Sequence, residues 1–112
     1  MALNSFAKGS LHFKHQRLTA LMLMMLVLFF LSSLVMHQNS SYQEIVFWVR
    51  KPYVSALLIL TMAALFYHSF LGIKVILEDY VHTKHLVRAL LFTSFALHAF
   101  LGVLSILLVI LI

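Results

Sequence analysis

The sequence has no cysteine and almost no negative charge: its only acids are Glu44, Glu78 and Asp79, in a chain of 112 residues. Without thiols it can form no disulfide and can give no thiolate to an iron–sulfur cluster or a zinc ion, so any redox work must use another group. Charge of either sign is scarce, at 10% of residues, whereas an ordinary soluble domain carries about a quarter. Apolar residues take up the difference. They make up 63% of the chain, against roughly 45 to 50% in a soluble domain. A water-soluble globule is therefore disfavoured, and residues 1–112 read as one small membrane domain with no separate soluble part. The formal net charge of +5 does not point to nucleic acid, because the basic residues lie scattered at the edges of apolar runs rather than in a patch.

Three apolar runs without formal charge stand at about 18–36, 53–73 and 89–112. Each is close to the ~20 residues an α-helix needs to cross the ~30 Å hydrocarbon layer. The expected fold is an all-α membrane protein of three transmembrane helices, spanning about 18–36, 53–77 and 89–112, with short polar joints near the headgroups. The first run exceeds the usual ~7 to 15 apolar residues of a cleaved signal and no small-x-small site follows it, so it is expected to stay in the membrane. Lys8, Lys14 and Arg17 precede the first span, Lys74, Lys84 and Arg88 surround the second joint, and Arg50 and Lys51 occupy the first. That asymmetry of Lys and Arg predicts the N-terminus and second joint inside and the C-terminus outside. Tyr42, Trp48 and Tyr53 near the outer joint, and Tyr80 near the inner one, sit where interfacial aromatic anchors are found.

Of seven histidines, His12, His15, His37, His82 and His85 fall in interfacial segments where an imidazole costs little. His68 and His98 lie inside apolar runs, where ionisable groups are rare and commonly functional. Measured from inner ends near Leu77 and Arg88, they are about 14 and 15 Å deep at ~1.5 Å per residue. Ala64, His68 and Gly72 in one helix, and Ser94, His98 and Gly102 in the next, put a small residue one turn to either side of each imidazole. Such a face could admit a flat macrocycle whose iron the imidazole ligates. It could equally serve close helix packing, with each histidine hydrogen-bonded to a neighbour.

Glu78 and Asp79 stand at the C-terminal end of the second span, where the helix dipole disfavours an acid by about 0.3 to 1 kcal/mol. Eleven steps of ~100° bring Asp79 back to the His68 face, about 16 Å nearer the inner surface, and Tyr80 adds a phenol there. A tyrosine and an aspartate at that depth could hydrogen-bond a quinone carbonyl and relay protons. They could also be a solvated joint with an aromatic anchor, its acids offsetting the local cations.

The stretch H-S-F-L-G-I-K-V-I-L-E-D-Y-V, from His68 to Val81, resembles the signature of the family of hydrophobic membrane anchor subunits of succinate dehydrogenase. The three-helix layout, chain length and N-inside orientation are similar as well. The resemblance implies a non-catalytic anchor of a four-subunit succinate:quinone oxidoreductase, its partners being a second, cytochrome b type anchor subunit, an iron–sulfur subunit and a flavoprotein subunit. It further implies a haem b shared with the second anchor, and ubiquinone as the substrate reduced at the membrane. Residue by residue, His68 matches the axial haem ligand, Tyr80 the phenol bonded to the quinone, Asp79 its acidic neighbour, and Arg17 an arginine at the haem propionates. The family also has a histidine a few residues before that arginine, for which His12 and His15 are both candidates. His98 has no counterpart. It could line a proton path, pack against a neighbour, or be a second axial ligand within the chain.

Two other readings remain at this level: a self-contained two-histidine membrane cytochrome, and a structural membrane protein whose histidines only stabilise packing. The expected location is a bacterial inner membrane, since no Arg- and Ser-rich transit segment precedes the first span.

Overall fold

The computed structural model describes the backbone from residue 2 to 112 and side chains from residue 9 onward, so the Lys8 side chain counted above lies outside the described residues. Four helices follow in order: α1 (Ala2–Met36), α2 (Tyr42–Val49), α3 (Pro52–Tyr80) and α4 (Lys84–Leu111). Three contain stretches long and apolar enough to cross a membrane, at Gly9–Met36, Pro52–Tyr80 and Lys84–Leu111.

These helices are longer than the apolar runs because charge bounds a hydrophobic run but does not end a helix. No proline interrupts the residues before Leu18, so the helix of the first span runs back through Arg17, Lys14 and His12. At ~1.5 Å per residue α1 measures about 52 Å, close to the 55 Å long axis of the molecule. Helix α1 is therefore longer than the ~30 Å apolar layer, and its N-terminal turns carry the His12, Lys14 and Arg17 that suit the headgroup region.

The first joint is not simply a polar linker but holds α2. Ser41 caps it: the Glu44 N–H donates to Ser41 Oγ at 3.3 Å, and the Ser41 N–H donates to Glu44 Oε2 at 2.6 Å. This reciprocal pair satisfies amides that the first helical turn leaves without partners. The same bonds hold the exposed Glu44 carboxyl below its ordinary pKa, the backbone N–H of Ser41 contributing most. Trp48 of α2 lies 4.7 Å from the His37 ring and 6.3 Å from Phe30, ring centre to ring centre, which folds the joint back over the end of α1. Pro52 then opens α3 at its first turn, where a missing N–H costs nothing.

Helix α3 is the centre of the fold, packed on α1 along one side and on α4 along the other. Its buried side chains are Val54, Thr61, Ala64 and Leu71. On α1 the stripe Thr19, Leu23, Leu26 and Ser33 is buried, and on α4 Gly102 is buried, lying where an added Cβ would meet the Phe66 ring at 3.5 Å. Most large apolar side chains face outward, as expected where lipid tails are the solvent. Lipid gives helices no hydrophobic reason to associate, so close contact between small residues and polar side chains has to hold them together.

Candidate functional site

The lower half of the α1–α3 boundary is a polar seam within an otherwise apolar bundle. Spacings of four and three residues align His12, Gln16 and Thr19 on the face of α1 that meets α3, with His15 beside them. Two consecutive residues of α3 reach across. The Tyr67 hydroxyl is 2.9 Å from His15 Nδ1, and His68 Nδ1 is 2.8 Å from Thr19 Oγ1. Gly72, one turn below His68, leaves room for Gln16, whose amide nitrogen an added Cβ would meet at 3.7 Å.

Thr19 Oγ1 also lies 2.9 Å from the carbonyl of His15 and 3.1 Å from that of Gln16, to which it donates its hydrogen. With that hydrogen committed, the hydroxyl accepts from His68 Nδ1–H. His68 is consequently the tautomer whose Nε2 carries the lone pair. That nitrogen makes no hydrogen bond among the described residues and is not enclosed, in a half-buried side chain. A neutral imidazole with Nδ1 donating and Nε2 open is the donor that haem iron requires, so the residues present fit that group.

His98 is different on both nitrogens. Its Nδ1–H donates to the Ser94 carbonyl at 2.7 Å, and its Nε2 accepts from the Ser69 hydroxyl at 3.1 Å. Phe66 and Phe70 stand edge-on to the ring at 6.4 and 5.9 Å. Of the three roles open to it from sequence, these contacts fit packing against a neighbouring helix. The nearly identical strings around His68 and His98 thus have different uses.

The candidate residues do not converge on one closed pocket. Asp79 and Tyr80 end α3 at an exposed corner, Tyr80 with 79% of its surface accessible, and neither side chain bonds to another described residue. Arg17 is two residues from Thr19, a turn of ~200°, and so lies away from the α3 face, its guanidinium 4.9 Å above the Phe13 ring. Of the two N-terminal histidines, His15 is engaged by Tyr67, whereas His12 Nε2 is buried with no partner among the described residues, as is Gln16 Oε1. Thr19 and Tyr67 do not stand out in the sequence, because no local pattern shows which residue a neighbouring helix will offer.

The chain is similar to known proteins along nearly its whole length. Residues 2–110 match the family described as succinate dehydrogenase/fumarate reductase transmembrane subunit. Curated relatives include the succinate dehydrogenase hydrophobic membrane anchor subunit of Rickettsia prowazekii, 30% identical over 89 residues covering 79% of this chain and 71% of that protein. The protein of the same name from Rickettsia felis is 30% identical over 83 residues, covering 74% of this chain and 69% of the relative. No solved structure matches.

Proposed function

Because the chain belongs to the succinate dehydrogenase/fumarate reductase transmembrane subunit family and is a multi-pass anchor subunit of the bacterial inner membrane, we propose that it supplies one axial ligand to a haem b and one wall of a ubiquinone-reduction site. His68 Nε2 is the ligand, and the second comes from a cytochrome b type anchor subunit, because His98 has no nitrogen to spare. The observation that carries this reading is the Thr19–His68 bond, which leaves His68 the one mid-span histidine with an open lone pair. The haem, when bound, stores one electron. This chain's residues bind and orient it.

Tyr80 and Asp79 form the quinone wall. The Tyr80 hydroxyl donates to a quinone carbonyl, and Asp79 relays protons towards the reduced oxygen. Their exposure suits residues covered by partner subunits, here an iron–sulfur subunit that delivers electrons and, through it, a flavoprotein subunit. Arg17 would pair with haem propionates, whereas His12, whose Nε2 is buried without a partner among the described residues, faces α3 and not Arg17. In this reading the N-terminus and the α3–α4 joint lie inside and the C-terminus outside, the orientation that the Lys and Arg distribution favours. The chain does no bond-making chemistry of its own.

The test is His68→Ala in the assembled complex, read by the reduced-minus-oxidised haem spectrum. Loss or conversion of the low-spin haem signal is expected; an unchanged axial environment would overturn the ligand assignment.

A further inference from the structure

We propose that Thr19 is a positioning residue that sets the tautomer and ring plane of His68 and thereby the redox potential of the haem. This rests on the reading of His68 as an axial ligand and adds to it a residue to which neither the sequence motif nor the comparisons assign a role.

Three observations support the proposal. Thr19 Oγ1 is 2.8 Å from His68 Nδ1 and gives its own hydrogen to backbone carbonyls at 2.9 and 3.1 Å, so its free lone pair is an acceptor aimed at the imidazole. Donation to those carbonyls polarises the hydroxyl and strengthens it as an acceptor. Thr19 is buried, with 8% of its surface accessible, so no solvent competes for Nδ1–H and the bond has no substitute. Finally, the α1 turn that carries Thr19 is held at both ends by neighbours in α3, since Tyr67 meets His15 and His68 meets Thr19. The acceptor cannot drift along α1 without breaking the Tyr67 bond as well.

A histidine ligand whose remote N–H is hydrogen-bonded is fixed in orientation and is a more basic donor. Greater basicity favours ferric over ferrous iron, so Thr19 holds the midpoint potential down. Threonine is suited to the place: its β-branch limits rotation, and bonding back to its own helix removes its hydrogen from competition with Nδ1–H.

The experiment compares Thr19→Val, Thr19→Ser and His68→Ala in the complete complex, by redox titration of the haem and by the electron paramagnetic resonance signal of its ferric form. Valine keeps the shape and removes the oxygen. It is expected to raise the midpoint potential, shift the ferric signal and weaken haem retention by about ten- to a hundredfold, while serine restores all three. If Thr19→Val leaves potential and signal unchanged while His68→Ala removes the haem, the Thr19 role is overturned and the ligand assignment stands. If His68→Ala keeps an unaltered haem, the ligand assignment fails and this inference with it. Should Thr19→Val not assemble, Thr19→Ala decides in its place: a raised potential and shifted signal support the hydroxyl's role, and an unchanged potential and signal overturn it.

Discussion

Ser69 of α3 and His98 of α4 are joined by a 3.1 Å hydrogen bond, and that bond separates two histidines that the sequence presents as equivalents. The other His98 nitrogen is committed to the Ser94 carbonyl, leaving no lone pair for a metal. His68 has the opposite arrangement, with Nδ1 tied to Thr19 and Nε2 open. A haem ligated by both histidines of this one chain would require His98 to give up an interhelical bond in a lipid environment where that bond is part of what holds α3 to α4.

Replacing His98 with Ala is therefore expected to loosen the α3–α4 pair without touching the haem. The loss comprises one interhelical hydrogen bond, worth about 0.6 kcal/mol on average in membranes, and the edge-on contacts with Phe66 and Phe70. Thermal denaturation of the detergent-solubilised complex should show a small drop in stability, with the haem spectrum unchanged. Disappearance of the haem would refute the packing role.

Gly72 provides a graded probe of the α1–α3 seam. A Cβ there would sit at ordinary contact distance from the Gln16 amide, 3.7 Å, so Gly72→Ala should assemble and keep wild-type haem content. A leucine reaches beyond that contact towards α1, and Gly72→Leu is expected to push α1 away from α3 and lengthen the Thr19–His68 contact. Haem stoichiometry of the purified complex measures both. Equal haem content in the two variants would show that the seam yields without disturbing the ligand.

How far the fold can be read from sequence varies along the chain. The apolar runs mark three spans because charge in a hydrocarbon layer is costly enough to leave a clear pattern. Their true ends are hidden, because α1 continues as a helix through residues whose charge says nothing about backbone hydrogen bonding. Helix α2 lies in a joint too short to show a period, although Ser41 and Glu44, three apart, carry its capping signal. That His68, Asp79 and Tyr80 share one helix is legible from their spacing. Thr19, Tyr67 and the Ser69–His98 pair depend on how separate helices face each other, and no run of adjacent residues encodes that.

The α2 cap should respond to acid in a defined direction. The Glu44 pKa in the folded state lies below its ordinary value of 4.5 because Ser41 stabilises the carboxylate. A carboxyl depressed on folding contributes stability above its unfolded pKa and loses that contribution as pH falls through the folded one. The protection factor of the amides at the first turn of α2, with the intrinsic pH dependence of exchange divided out, should thus be constant near neutrality and fall below about pH 4.5, close to the unperturbed range of a glutamate. Glu44→Gln, which retains an acceptor but does not titrate, should abolish that acid dependence; an unchanged profile would show that the cap is not its source.

Tyr80 allows the proposed quinone wall to be tested separately from the proposed haem site. The side chain is exposed at the end of α3 and makes no bond to a described residue of its own chain, so Tyr80→Phe removes a hydroxyl without leaving a buried partner unsatisfied. Any functional loss must then come from what the hydroxyl touches outside this chain. A hydrogen bond lost to a quinone oxygen that gains charge during reduction is worth about 1.5 to 3 kcal/mol, which is roughly ten- to a hundredfold in rate. Quinone reduction by the complex should fall by that factor, while reduction of an artificial dye by the catalytic subunits and the haem spectrum stay as in the wild type. Asp79→Asn separates proton relay from hydrogen bonding: it should depress quinone reduction while dye reduction and the haem spectrum stay as in the wild type. If Tyr80→Phe slows dye reduction equally, the defect lies in assembly with the catalytic subunits, and the corner of α3 is a docking point instead of a quinone wall.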